Sequence, residues 1–242
     1  MSPLPSQTQF RQNAARGILF MCLAILIMPV MNGMAKALTV EHPVAMVVWA
    51  RFTGHLVAMT LVFWPGRGRR LFKSARPVFQ VARSAIMFLS NGCYIGALSI
   101  VALATASAIM FTAPLMVTAL SGPFLGERVG IRRWAAVIVG FIGALIIIRP
   151  GIDTPGFDAS GLGLALLTVS AACFAVYQLM TRKLSDKDSA ETMIVYMPLT
   201  GAIAMSCAMP FVGVMPEGWT NWLLFILVGV LGGFTQYCVT KS

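Results

Sequence analysis

No aspartate or glutamate lies in the interior of any long apolar run of this chain. Proton-coupled carriers commonly rely on such an embedded acid, so coupling through one is not supported by these residues. Histidine is almost as scarce. His42 and His55 stand alone, with no carboxylate cluster beside them. That argues against a membrane-embedded enzyme acting on lipid, which needs a nucleophile and base or a metal at a membrane face. The five cysteines, Cys22, Cys93, Cys173, Cys207 and Cys238, all fall within apolar runs, and no CxxC pair occurs. No redox or metal motif follows, and they read as small hydrophobes among helices. A GxxxxGK[ST] loop is also missing, which disfavours an ATP-driven pump. No cofactor or metal is implied. Charge is the deepest deficit: charged residues make up 11% of 242, against about 25% in a soluble domain.

What is abundant is apolar sequence, 58% of the chain. A helix needs about 20 apolar residues to cross the hydrocarbon core. Eight runs meet that length, near 17–38, 43–64, 78–99, 101–121, 131–149, 161–181, 192–211 and 219–240. The first, preceded by Arg11 and Arg16 and carrying Ala35-Lys36-Ala37, resembles a signal peptide. Its apolar run is longer than an h-region of about 7–15 residues. The net charge of +10 does not point to nucleic acid, because the cations sit in short loops between runs and not on one folded face. The partners implied are the lipid bilayer and a small molecule; no oligomeric state follows.

Those loop charges set orientation. With the N-terminus in the cytoplasm, the inside segments hold fourteen Lys and Arg residues and the outside loops hold only Arg149. That asymmetry is the positive-inside signal. It predicts a multi-pass inner-membrane protein with both ends of this chain inside.

The chain also starts one unit twice. Gly17, Met34, Lys36 and Leu38 are matched at constant offset by Gly163, Met180, Arg182 and Leu184. One residue of slippage later, Trp49, Thr53 and Gly54 are matched by Tyr196, Thr200 and Gly201. Five runs precede the second copy, so it must be inverted. Corresponding loops swap charge accordingly: the loop at Glu41-His42 has no Lys or Arg, and its counterpart from Arg182 to Glu191 has three. Linked inverted copies are a common transporter build. Leu231 falls opposite Leu89 and Ser242 opposite Ile100, which predicts a ten-helix design of which about eight helices are present, the second copy being truncated. A true eight-span protein is the alternative. A receptor or scaffold is disfavoured by the repeat.

The stretch from Thr105 to Gly151 has a helix of small residues with Ala113-Pro114, then Leu125-Gly126-Glu127-Arg128. Arg133-Trp134 then opens a glycine-containing helix that closes on Arg149-Pro150-Gly151. This resembles the EamA repeat of the drug/metabolite transporter superfamily. Trp49-Ala50-Arg51-Phe52 and Lys36 also fit. The resemblance implies an all-α membrane fold of two inverted five-helix units. Residues 1–16 would be a cytoplasmic segment, 17–150 the first unit, 151–160 an external linker and 161–242 an incomplete second unit. It implies a transporter of small organic metabolites, amino-acid-like or related, by alternating access and in the direction of efflux. In that pattern Pro114, Glu127, Arg128, Trp134, Arg149 and Pro150 are structural, with Glu127 pairing with Arg132 or Arg133.

Two cations stand out within runs. A charge at mid-helix costs on the order of 3 kcal/mol on insertion scales, so it needs a partner or a water-filled cavity. Lys36 lies two residues from the outer end and can snorkel. Arg51 lies about eight residues in, roughly 12 Å, where snorkelling is harder. The expectation is that Arg51 faces a cavity near Lys36. Asn32, His55, Asn91, Tyr94, Tyr177, Gln178 and Gln236 are the polar groups within runs, each a cost in lipid unless bonded. Asn91 and Tyr94 share a helical face, with Gln236 opposite Tyr94 in the repeat. Except for His55, these are the substrate-path candidates with Lys36 and Arg51; interhelical hydrogen bonding is the rival role. Pro29, Pro114 and Pro198 predict kinks. The pairs Gly92/Gly96 and Gly229/Gly233 predict close helix contacts, and sixteen methionines suit either a re-packable lining or filler.

Overall fold

A computed structural model describes residues 7–126, 130–148, 161–214, 216 and 218–241. All regular structure among them is helical. The order is α1 (Gln7–Glu41), α2 (Val44–Arg67), a 3-10 turn (Gly68–Phe72), α3 (Pro77–Leu98), α4 (Leu103–Met110) and α5 (Ala113–Leu125). There follow α6 (Ile131–Ile148), α7 (Gly161–Leu184), α8 (Ala190–Tyr196), α9 (Leu199–Val212) and α10 (Trp219–Lys241). Among the described residues seven helical segments are long and apolar enough to cross a membrane. They correspond to seven of the eight expected runs. The eighth forms α6. Leu26, Leu61, Val78 and Phe211 are among many large apolar side chains that point outward. Such a surface suits lipid and not water. This is an all-α, multi-pass membrane protein.

The expected kinks divide by context. Pro29 sits inside α1 and leaves the helix continuous. The fourth and seventh spans are broken instead, at Phe111–Thr112 just before Pro114 and at Met197–Pro198. A proline removes one donor and crowds the preceding turn. At both breaks the chain turns and resumes as a second helix. The α8 start is also capped, with Ser189 Oγ accepting from the Thr192 N–H at 3.4 Å.

Small residues decide which helices touch. α3 lies along α7 and α1 along α10, while α2 crosses both α9 and α10. If span one corresponds to six, two to seven and three to eight, the α3–α7 contact maps onto α10–α1. The α2–α9 contact maps onto itself. That is the pairing any two-fold relation between the copies gives. At the α3–α7 crossing Ser90 and Ser170 each donate to the other's carbonyl at 2.8 Å. At the α2–α10 crossing Gly54 meets Gly229 backbone to backbone, and Gly233 packs on His55 and Met59. Of the two expected glycine pairs, Gly229/Gly233 makes the close contact. Gly92 faces open space, and Gly96 meets only the tip of Leu166. Between these crossings lies the main apolar core, which includes Met31, Val47, Phe52, Ile95, Leu98 and Leu167.

Candidate functional site

Between the α1–α10 pair and the α3–α7 pair lies a cavity of about 280 Å³, at the small end of the usual range for ligand sites of about 300–1,000 Å³. α2 contributes Arg51, Phe52 and His55, the last lying one turn on from the adjacent pair. α3 contributes Met87 and Asn91, four residues apart. α7 adds Phe174, Tyr177 and Gln178, and α10 adds Gly232, Thr235, Gln236 and Val239. α1 supplies Met21, Ala24, Ile25, Met28 and Met31, and Met197 enters from the α8–α9 break. From Met31 back to Met21 is about 15 Å of helix. The cavity therefore runs from mid-bundle toward the end that carries the basic segments. Five methionines in the lining serve the adaptable role expected of them.

Five of the eight substrate-path candidates line this space: Arg51, Asn91, Tyr177, Gln178 and Gln236. The other three do not. Lys36 Nζ donates to the carbonyls of Leu98 at 2.9 Å and Val101 at 2.7 Å. It thus satisfies the last carbonyl of α3, as a cation at a helix C-terminus does, and one in the loop that follows. Asn32 stands behind Arg51, its Oδ1 accepting from Nη1 at 3.4 Å. Tyr94 is buried in the apolar core. The structure thus brings Arg51 together with Asn91 and Gln236 but not with Lys36. Of the motif residues, Pro114 is the second residue of α5 and Trp134 lies half-buried in the first turn of α6. Glu127, Arg128, Arg149, Pro150 and the side chain of Arg133 lie outside the described residues, as does the expected linker 151–160.

The polar lining is undersatisfied. His55 Nε2, Asn91 Oδ1 and Thr235 Oγ1 are buried and have no hydrogen-bond partner. Their residues are only 4%, 8% and 8% exposed. Each such atom costs about 1–3 kcal/mol when left unpaired. Arg51 spends one of its five N–H donors, on Asn32. These three atoms are closed off from the cavity, so the mostly free guanidinium of Arg51 is the group that a bound polar molecule would meet.

Sequence reasoning passed over Arg83, the most deeply buried cation among the described residues, 1% exposed. Its Nη2 donates to the Met193 carbonyl at 2.6 Å, and Nη1 to Thr181 Oγ1 at 3.0 Å and Tyr177 OH at 3.3 Å. Nε donates to Gln80 Oε1 at 3.1 Å, and the guanidinium lies 5.2 Å from the Tyr177 ring centroid. One side chain thus joins α3, α7 and α8, and holds a cavity wall residue. A signal was present: a cation six residues inside a span, three after a glutamine.

The network continues to the surface. Gln80 Nε2 donates to Asp188 Oδ2 at 2.9 Å, the Ala75 N–H donates to Oδ1 at 2.7 Å, and Ser74 Oγ donates to Oδ2. Nearby Arg67 and Glu191 form an ion pair at 3.2 Å. Burial alone would raise the Asp188 pKa. The donors Ser74, Ala75 and Gln80 and the charge of Arg83 outweigh it, so the carboxyl sits below the ordinary aspartate value. A depressed acid contributes stability above its unfolded pKa of about 3.9 and loses it as pH falls through the folded value. Thermal stability in detergent should therefore be insensitive to this group from pH 5 to 8. Below about pH 4 it should drop more steeply in the wild type than in Asp188→Asn. Parallel curves for the two proteins would show that Asp188 has no such role.

Comparison with known proteins places this geometry. Residues 15–149 match the EamA-like transporter family. A riboflavin transporter of Vibrio cholerae is 42% identical over 137 residues, 56% of this chain and 44% of that protein. A riboflavin transporter of Rhizobium johnstonii is 29% identical over 95% of this chain and 74% of its own length. An S-adenosylmethionine uptake transporter of Rickettsia prowazekii is 27% identical over 93% of this chain and 74% of its own. The matched part of this chain thus spans less than half of the Vibrio relative and about three quarters of the other two. A crystal structure of a protein 20% identical superposes with a TM-score of 0.70, covering 94% of this chain and 78% of that one, which shows a shared fold. The family is one of transporters and not of enzymes, and with more than half of its length matched this chain belongs to the EamA-like transporter family.

Proposed function

We propose that this protein carries a neutral, planar ring metabolite of the flavin type inward across a bacterial inner membrane, using the cavity between α1–α10 and α3–α7. The observation that carries the reading is the lining itself. Phe174 offers a ring, five methionines adapt to a flat apolar body, and Arg51, Asn91, Gln178 and Gln236 give it a polar side without net negative charge. Among the described residues no carboxylate lines the cavity, so a cation would enter without a counter-charge from them, at a cost in a low dielectric. The riboflavin relatives support this cargo over the S-adenosylmethionine ones on that ground, and the uptake relatives support the inward direction. Amino-acid-like cargo and efflux, which the family resemblance implied, are the readings this replaces.

In the same reading, residues 17–150 and 161–242 are two inverted units, the N-terminus is cytoplasmic, and the cavity at their interface alternates in access. The opposed pairs α1–α10 and α3–α7 are the elements that would rock. Labelled riboflavin in right-side-out membrane vesicles tests it. Uptake should exceed that of vesicles without the protein several-fold. Gly232→Trp should abolish it at unchanged protein level, since a side chain there grows from between Met31 and Arg51 into the cavity. Equal flux with and without the protein, in right-side-out and inverted vesicles alike, would overturn the proposal.

A further inference from the structure

The cavity occupies one half of the bundle. It is lined by residues 21–31 of α1, 174–178 of α7 and 232–239 of α10. These stretches fall early in the first span and late in the spans of α7 and α10, which is the cytoplasmic half in the orientation proposed above. The other half is solid. Ala35 and Leu38 of α1, Val47 of α2, Leu98 of α3, Val101 and Leu167 of α7 are each 4% exposed or less and belong to one apolar core. The cavity is thus closed toward the outside, and cargo arriving there needs this core to part. Apolar packing is non-directional. Directed bonds across it come from Lys36, whose Nζ reaches from α1 to the Leu98 carbonyl at 2.9 Å and the Val101 carbonyl at 2.7 Å. They join a member of the α1–α10 pair to the end of the α3–α7 pair.

We propose that Lys36 is the latch of the outer gate. Its ammonium ties α1 to the end of α3 while the outer side is closed, and lets go when the two helix pairs part there. The inference rests on the alternating-access reading above and names the residue that sets its closed outer state. The chemistry of the tie suits repeated breaking. Both acceptors are neutral backbone carbonyls, and among the described residues Lys36 forms no ion pair. Two of the three ammonium donors are spent on them. When the helices separate, water reaches the ammonium and both carbonyls. Opening therefore exchanges these bonds for bonds to water and leaves no group unpaired. The flexible four-carbon stem lets the ammonium find the two carbonyls again on closing. Lys36 lies two residues from the outer end of its span, where it stays charged and hydrated with the gate open.

Thiol accessibility at two buried points separates a gate latch from a general prop. Ala97 is 0% exposed in the outer core, next to Leu98, and the native Cys238 is 0% exposed near the opposite end of α10. The purified protein carrying Ala97→Cys is treated in detergent with a charged methanethiosulfonate reagent, and modification at each site is timed by peptide mass spectrometry. Both sites should react slowly while Lys36 is present. Lys36→Met keeps the stem and removes the donors. It should speed modification at the Ala97→Cys site several-fold and leave Cys238 slow. Lys36→Arg, which keeps a cation with donors, should leave both slow. Lys36→Gln is read in the same way as Lys36→Met and serves if that variant yields no protein. Faster modification at both sites would make Lys36 a general prop of the fold, and unchanged rates at both would mean that the apolar core closes the gate without it. Either result overturns the latch. The measurement needs no cargo, so failure of riboflavin uptake leaves its outcome standing. In sealed vesicles, acceleration at the Ala97→Cys site seen only in inverted ones would reverse the proposed orientation and place the latch at the cytoplasmic face.

Discussion

Arg83→Met will unfold this protein more readily than any substitution on the cavity lining. The guanidinium is the donor for the Met193 carbonyl, Gln80 Oε1 and the Tyr177 and Thr181 hydroxyls. Methionine keeps the bulk and removes every donor. Replacing a whole buried ionic cluster by apolar groups is often neutral or stabilising. Here only one partner goes, and the acceptors stay buried and polar. Gln80 Oε1 is left without its donor at about 1–3 kcal/mol, and the Met193 carbonyl, which keeps the Met197 N–H, loses a charge-assisted bond of about 1.5–3 kcal/mol. The sum, about 2–6 kcal/mol, corresponds to a fall of roughly 5–20 °C in Tm at about 2–4 °C per kcal/mol. Arg83→Lys should fall between, because an ammonium cannot span both sides as the planar fork does. Scanning fluorimetry in detergent reads the outcome. An Arg83→Met protein that melts with the wild type would mean that solvent or neighbouring side chains re-pair those acceptors, and the network would lose its structural role.

The same alanine substitution should have opposite signs at two glycines. A Cβ at Gly54 would stand 2.6 Å from the Cα of Gly229, a backbone atom that no side-chain rotation can move. α2 and α10 would have to separate, which also loosens Gly233 from Met59 and His55. Overpacking of this kind costs about 1–3 kcal/mol. Gly54→Ala should lower Tm, and Gly54→Leu should leave little folded protein. At Gly92 a Cβ meets nothing within 4 Å, and the helix gains up to about 1 kcal/mol from alanine over glycine. Gly92→Ala should be neutral or stabilising. If Gly54→Ala and Gly92→Ala melt alike, the α2–α10 crossing is not a close backbone contact.

These two cases mark what one-dimensional reading can and cannot reach. Arg83 and Arg51 look alike in sequence, each a cation inside an apolar run. One is wholly engaged by α7 and α8, and the other is mostly free in a cavity. The difference depends on which helix each one faces. Gly92/Gly96 and Gly229/Gly233 share one spacing, yet only the second meets a neighbour closely, because α10 is crossed there by Gly54 of α2. Lys36 was expected beside Arg51 and instead satisfies carbonyls at the end of α3. A four-carbon stem reaches the nearest unpaired acceptors, and a helix end offers several.

The sequence by itself determined the class of protein, the spans, the family and the short list of polar residues. Run length and composition are local quantities, and the bilayer demands about 20 apolar residues per crossing whatever their neighbours. It also marked five of the lining residues, since a polar group inside a span is costly wherever it points. Only the tertiary structure decided which of them meet. Rotation of each helix about its axis is set by where small residues allow backbones to touch, at Gly54 with Gly229 and at Ser90 with Ser170. Those crossings turn Arg51, His55, Asn91 and Thr235 inward to one cavity and turn Lys36 and Tyr94 away from it.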